Sequence, residues 1–376
     1  MHICLVTPSF PPMVDGGVAI ATGRLAAGLI RRGHEVTVLT APPPESLRRS
    51  RIDMMPEALA VLYHDVSDPL HDPSQLAGLY DRLGRHHQQQ PFDMILAYFV
   101  YPSGYLAIRL GDVFGLPVVC SCRGNDISKD MFIAPDVLET VLRQSSRLIF
   151  VSASLLDMAD TLVPCRHKAS VVANSVDCTQ FRPVTGQSAS PNHPVILGTS
   201  GLMRWKKGID LLLPLIRELS TAHDIRFHFA GYGLDETIDD QIASFVQQYQ
   251  LQDRVAVLGP LPHDQMPQVL RQMDIYITTS YQEGMPNGVL EAMACALPVV
   301  ATAADAIPEL VQDGVTGHLC RMGDLEALLR SCRHLIEQPR LRRHMGGAGR
   351  ARALSLFHPE RELADVEASL QLALGA

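Results

Sequence analysis

Short apolar runs, each followed by a turn and an amphipathic helix, recur along nearly the whole chain, and this alternation constrains the fold more than any other feature. His2–Thr7 is the first such run, and Ala19–Arg32 has helical spacing, with Ile20, Leu25 and Leu29 about a turn apart. Gly33 closes that helix and Glu35–Thr40 is again rich in β-branched residues. Further strands are expected at Met94–Tyr98, Pro117–Cys122, Leu148–Val151 and Ser170–Ala173. Residues 182–194 lack periodicity and are rich in Pro, Ser, Gly and Asn, as a linker is. The alternation then restarts, with strands expected at Val195–Thr199, Arg226–Ala230, Val255–Leu258, Ile275–Thr279 and Pro298–Ala301. Helices are expected at about 207–221, 235–250, 264–272, 287–296 and 324–337. Parallel strands need crossover connections, so this order builds α/β domains with doubly wound parallel sheets. Two are expected, residues 1–184 and 185–356. A C-terminal helix at about 357–376 is expected, with Leu363, Val366, Leu370 and Leu374 on one stripe. Such sheets bind ligands beyond the carboxyl ends of their strands, so a cleft between the domains is the expected site.

Composition narrows the function classes. With 47% hydrophobic residues the 376-residue chain has apolar material for two cores and is not a disordered or fibrous sequence. Its net charge of −8 gives no global basic footprint for nucleic acid. The local run Arg48-Arg49-Ser50-Arg51 reads as a solvated loop. Of eight cysteines only Cys120 and Cys122 are close, and no second pair completes a zinc site, so buried free thiols and a reducing compartment are expected. The N-terminal residues carry no signal-peptide pattern. The apolar stretch from Val289 to Ile307 is interrupted by Glu291 and Pro298 and reads as a helix followed by a buried strand, not a membrane span.

The residues able to do chemistry cluster at strand ends. Gly16-Gly17 follow the first strand and lead into a helix; bare backbone there suits a phosphate, and equally a tight turn. Arg204-Trp205-Lys206-Lys207-Gly208 places three cations at a strand-to-helix turn, where a diphosphate needs them, although a solvated charge run is the alternative. Glu283-Gly284-Met285-Pro286-Asn287-Gly288 opens a helix that carries Glu291 about one turn in, so two carboxylates border a helix N-terminus fit for an anion. That pairing suits a ligand with both hydroxyls and phosphate. Gly231-Tyr232-Gly233 fails as a dinucleotide fingerprint and reads as a tight turn. Arg123-Gly124-Asn125-Asp126 follows another strand, and Arg123, Asn125 and Asp126 are expected to project into the cleft, although Asx-turn chemistry also explains Asn-Asp. No Asp-x-Asp triplet occurs, so a carboxylate pair holding a divalent metal is not indicated.

Taken in order, these segments resemble the retaining glycosyltransferases of family 4, which have the GT-B fold, and the resemblance implies that the C-terminal helix packs back on the first domain. The opening Pro8–Pro12 through Gly16-Gly17 to Arg32-Gly33-His34-Glu35-Val36 is similar to the family's, as are Asn174-Ser175-Val176-Asp177 with Phe181 and Pro183, and Gly201 through Lys207-Gly208. Glu283 to Glu291, an E-x₇-E spacing followed by Ala292-Met293-Ala294, is the most specific part, and Pro298–Thr302, Glu309, Asp313-Gly314 and Gly317 continue it. The resemblance implies a nucleotide-diphospho-sugar donor on the second domain, with Arg204 and Lys207 on the diphosphate, Glu283 on the transferred sugar and Glu291 on the ribose. Gly17 would approach the donor from the first domain, which would also take a glycan or lipid-linked acceptor. It implies neither metal nor cofactor, a cytoplasmic chain, and peripheral contact with the inner face of the membrane. Two positions depart from the pattern: Leu202 stands where Arg is frequent, with Arg204 as its replacement, and Arg123 stands where His is frequent. A sugar-nucleotide epimerase of the same fold and a non-catalytic nucleotide-sugar-binding protein are the competing readings.

Overall fold

The structure, a computed structural model, describes every residue except 12–16, 43–58, 67, 73, 185–193, 234–235 and 376. Gly16, the run Arg48–Arg51 and most of the expected linker therefore lie outside the described residues.

The described chain forms two compact units. The first, Met1–Ala173 with Glu362–Ala376, holds the strands β1 (His2–Thr7), β2 (Glu35–Thr40), β3 (Ala60–Tyr63), β4 (Met94–Tyr98), β5 (Val118–Cys122), β6 (Arg147–Phe150) and β7 (Ala169–Val171). All pair in parallel, in the order β3-β2-β1-β4-β5-β6-β7. The second, Asn174–Arg361, holds β8 (Val195–Ser200), β9 (Ile225–Ala230), β10 (Val255–Val257), β11 (Ile275–Thr278), β12 (Val299–Thr302) and β13 (Gly317–Cys320). These are also parallel, in the order β10-β9-β8-β11-β12-β13. Each sheet is doubly wound, because its order reverses direction beside the first strand of the unit.

Two strands and one helix are not legible in the sequence. β3 is a four-residue, partly exposed edge strand, and β13, Gly-His-Leu-Cys, has almost no apolar run to notice. The helix Pro339–Leu356 contains Gly346, Gly347 and Gly349 and buries an arginine, Arg342, so its pattern does not stand out. The units divide at 173/174 and 361/362, whereas the sequence places the divisions at 184 and about 357. Side-chain bonds move the first boundary. Asn174 Nδ2 donates to the Met285 carbonyl at 3.1 Å, and Arg350 Nη1 donates to the Phe181 carbonyl at 3.1 Å, so residues from 174 onward belong with the second unit.

The C-terminal helix Pro359–Gly375 packs on the first unit, as expected. Leu363, Val366, Leu370 and Ala373 join a core with Ile3, Leu5, Val36, Val38, Met94 and Leu96. Glu367 on the same helix meets Arg32 at 2.7 Å and His34 at 2.9 Å. Leu370 is 0% exposed, so Leu370→Ala is expected to destabilise this unit by ~2–5 kcal/mol, as cavity-forming core substitutions do. Urea unfolding followed by circular dichroism measures it, and a change near zero would mean the helix contributes little to the core. All eight cysteines are free and buried, and burial pushes the Cys4 thiol up to about 12. The Val289–Ile307 stretch is the helix Asn287–Ala294 followed by β12, and no helix of the described residues is long and apolar enough to cross a membrane.

Candidate active site

In the second unit the order reverses between β8 and β11, and the loops leaving these neighbouring strands must therefore meet beyond their carboxyl ends. The first carries Arg204–Gly208 and the second Glu283–Gly288. Their meeting is fixed by backbone. Gly208 has φ of 69°, and a Cβ there would overlap the Thr279 carbonyl oxygen, so only glycine fits. Thr279 Oγ1 donates to the carbonyls of Lys207 and Gly208, both at 2.9 Å, and the Tyr281 amide donates to the Lys206 carbonyl at 2.7 Å. The 201–203 segment is held from its other side, since the Met203 amide donates to the Tyr232 carbonyl at 2.8 Å. Gly231 permits this contact because a Cβ would overlap the Gly201 carbonyl.

The consequence is a direct ion pair between residues 76 positions apart: Lys207 Nζ donates to Glu283 Oε1. Ser280 Oγ donates to the same oxygen at 2.9 Å, and the Glu283 amide donates to Asp305 Oδ2 at 2.7 Å. The Glu283 side chain is 8% exposed and that of Lys207 23%. Burial pulls the Lys206 ammonium below its ordinary range, while nearby Glu283 opposes this. Arg204 precedes the single 3₁₀ turn Trp205–Lys207, and its guanidinium makes no hydrogen bond or ion pair to another described residue. Gly284 is partly buried and Met285 buried. Pro286 caps the helix Asn287–Ala294, whose first two residues are Asn287 and Gly288. Asn287 Oδ1 accepts from Asn174 Nδ2 at 3.0 Å, and Met285 Sδ accepts from the Asn174 amide at 3.1 Å. Glu291 lies on the helix, 12% exposed, paired with His263 Nε2 at 2.9 Å. The structure thus brings Arg204, Lys207, Glu283 and the start of Glu291's helix to one strand-end region, and adds Ser280, Asp305 and His263. Nothing in the sequence marks Asp305 and His263, because their partners lie 22 and 28 positions away, whereas Ser280 acts on Glu283 only three residues on.

In the first unit Gly17 begins the helix Gly17–Arg31 and is exposed. Arg123, Asn125 and Asp126 follow β5, but two of them turn inward. Asp126 is 3% exposed, and its carboxylate accepts from the amides of Val100, Arg123 and Gly124 at 2.7–3.1 Å. Burial pushes its pKa up to about 6 against those donors. The expectation that Asp126 projects toward a ligand is corrected: its oxygens are consumed by the turn. The Arg123 guanidinium stacks 4.6 Å over the Tyr98 ring, donates to Ser121 Oγ at 3.4 Å and stands 4.0 Å from Glu362. Asn125 opens the short helix Asn125–Ser128 and is partly buried. Among the described residues no group of three or more His, Cys, Asp or Glu is placed to hold a metal ion.

Two doubly wound parallel-sheet units, with cations and a glutamate gathered at the switch point of the second, describe an enzyme of the GT-B type. Residues 15–180 match the family described as Glycosyltransferase Family 4, and residues 183–352 match Glycosyl transferases group 1. The chain belongs to the family 4 glycosyltransferases and is a glycosyltransferase of GT-B fold. It is 25% identical over 370 residues to N-acetyl-alpha-D-glucosaminyl L-malate synthase of Bacillus anthracis, covering 95% of this chain and 93% of that one. In fold it is similar to sucrose-phosphate synthase of Thermosynechococcus elongatus, with a TM-score of 0.84, 20% identity and complete coverage of both chains. It is also similar to HepE of Anabaena, solved with UDP and glucose, with a TM-score of 0.79, 19% identity and 99% coverage of each.

Proposed function

We propose that this glycosyltransferase moves a hexose-type sugar from a nucleoside-diphospho donor to a glycan or lipid-linked acceptor, with retention and without a metal. The observation that carries the reading is the contact of Lys207 with Glu283 across two loops at a topological switch point. Arg204 and Lys207, with the first amides of the helix Asn287–Ala294, would grip the diphosphate. Glu283 would take hydroxyls of the transferred sugar and Glu291 the ribose. Gly231 and Gly284–Gly288 would shape the donor's loops, and Asn125 would serve the acceptor. Arg123 would act by ordering Tyr98 and Glu362.

Negative charge grows on the leaving phosphate oxygen as the glycosidic bond breaks. Cations and amides already fixed at that oxygen stabilise the transition state more than the ground state. The acceptor hydroxyl oxygen bonds the anomeric carbon on the face the diphosphate leaves and gives its proton to the departing diphosphate oxygen, so the anomeric configuration is kept. Lysine and arginine supply the charge that a divalent metal supplies in other diphosphate sites, so no cofactor is needed. The B. anthracis relative's name favours N-acetylglucosamine as the sugar and the HepE complex favours uridine as the base. The chain would work in the cytoplasm, with peripheral contact at the inner face of the membrane where the acceptor is lipid-linked.

The test is a hydrolysis and transfer panel with UDP-N-acetylglucosamine, UDP-glucose and GDP-mannose, run with and without EDTA, with product configuration read by NMR. One donor should release its nucleotide equally in both buffers and give retained product. Inverted product, EDTA-sensitive turnover, or conversion of the sugar nucleotide without transfer would each overturn a stated part.

A further inference from the structure

The turn after β12 carries an aspartate that the donor-site reading leaves unused. Asp305 has φ of 41°, in the left-handed region where a side chain other than glycine's is strained. The turn cannot relax easily. Ala304, Ala306 and Ile307 around it are all 0% exposed, and the Ile307 amide donates to the Ala304 carbonyl at 2.9 Å. An aspartate in a purely local turn bonds to backbone about two residues on. This one reaches 22 positions back along the chain, where Oδ2 accepts from the Glu283 amide at 2.7 Å. The surroundings make a carboxylate costly there. Asp305 is half-buried, and burial together with the Glu283 charge pushes its pKa up, opposed by the Glu283 amide and by Lys206. Strain, burial and a like charge all disfavour aspartate, and strained residues of this kind persist where the surrounding structure uses them.

We propose that Asp305 is a positioning residue of the donor site: its carboxylate grips the Glu283 backbone so that the Glu283 side chain stands against Lys207 in the pose that meets the transferred sugar. This rests on the reading of Glu283 as the sugar-binding carboxylate. The grip acts at the sugar end of the donor, and the nucleotide end does not depend on it.

Two substitutions separate positioning from turn-making. Asp305→Gly relieves the φ strain and removes the grip, whereas Asp305→Asn keeps an acceptor oxygen for the Glu283 amide. The glycine variant is expected to melt at or above the wild-type temperature, yet to lose on the order of 10- to 100-fold in turnover of the UDP-sugar that the wild type hydrolyses, the scale of a small misplacement. UDP affinity, measured by calorimetry, should stay within about two-fold in both variants, and the asparagine variant should keep about a third or more of wild-type turnover. Unchanged turnover in the glycine variant overturns the inference, as does an asparagine variant as impaired as the glycine one, or a loss of UDP affinity equal to the loss of turnover. A wild-type protein that binds no UDP and hydrolyses no nucleotide sugar overturns the donor-site reading and this inference with it.

Discussion

Lys207→Ala is expected to lower sugar transfer by ~10²–10³-fold, the effect of removing one pre-placed donor from a developing oxyanion. The same substitution should weaken UDP binding, since the ammonium would hold the diphosphate in the ground state too. It should also cost stability. Lys207 is the cation bonded to Glu283 Oε1, and the Glu283 side chain is only 8% exposed. Removing the lysine leaves a desolvated carboxylate that still accepts from the Ser280 hydroxyl at that oxygen. Breaking a pair from the side that strands the more buried charge costs about 3 kcal/mol at the lower end of such cases. Steady-state kinetics, UDP calorimetry and thermal melting on one preparation would show all three effects together. Near-normal turnover would remove Lys207 from the mechanism.

Glu283→Gln gives the complementary pattern. Turnover should again fall ~10²–10³-fold, because a carboxylate both accepts charge-assisted bonds from sugar hydroxyls and offsets positive charge growing on the sugar ring. UDP lacks the sugar, so its affinity should be unchanged or slightly raised, with Lys207 released to the diphosphate. The melting temperature should move less than in the lysine variant. The stranded group is now Lys207, whose side chain is 23% exposed and keeps an amide oxygen as acceptor. If UDP affinity falls as far as turnover, Glu283 is holding the site's architecture and not reading the sugar. The two variants together therefore separate the nucleotide end of the donor from the sugar end.

Much of this site is legible before any coordinates. Lys207 and Glu283 stand out because each follows an apolar run and precedes a helical one, which places both at strand ends. Arg204 is legible as a cation at a strand-to-helix turn. Asp126 illustrates the limit. An aspartate after a strand can face a ligand or cap its own turn, and the sequence pattern is the same for both. Only the three backbone amides converging on its carboxylate decide it. His263 and Asp305 lie 28 and 22 positions from the residues they hold, with intervening strand and helix, so no local spacing announces them.

By itself the sequence determined the alternation of strand and helix, the two α/β units with parallel strands and the strand-end placement of the charged loops, because these follow from hydrophobic periodicity and from the turn chemistry of glycine and proline, both of which are local. The tertiary structure alone decided which loops touch. β8 and β11 are neighbours although β9 and β10 lie between them in the chain, and that strand order brings Lys207 to Glu283 and Asp305 to its backbone. Strand order is settled by packing summed over the whole sheet, which no short stretch of residues encodes.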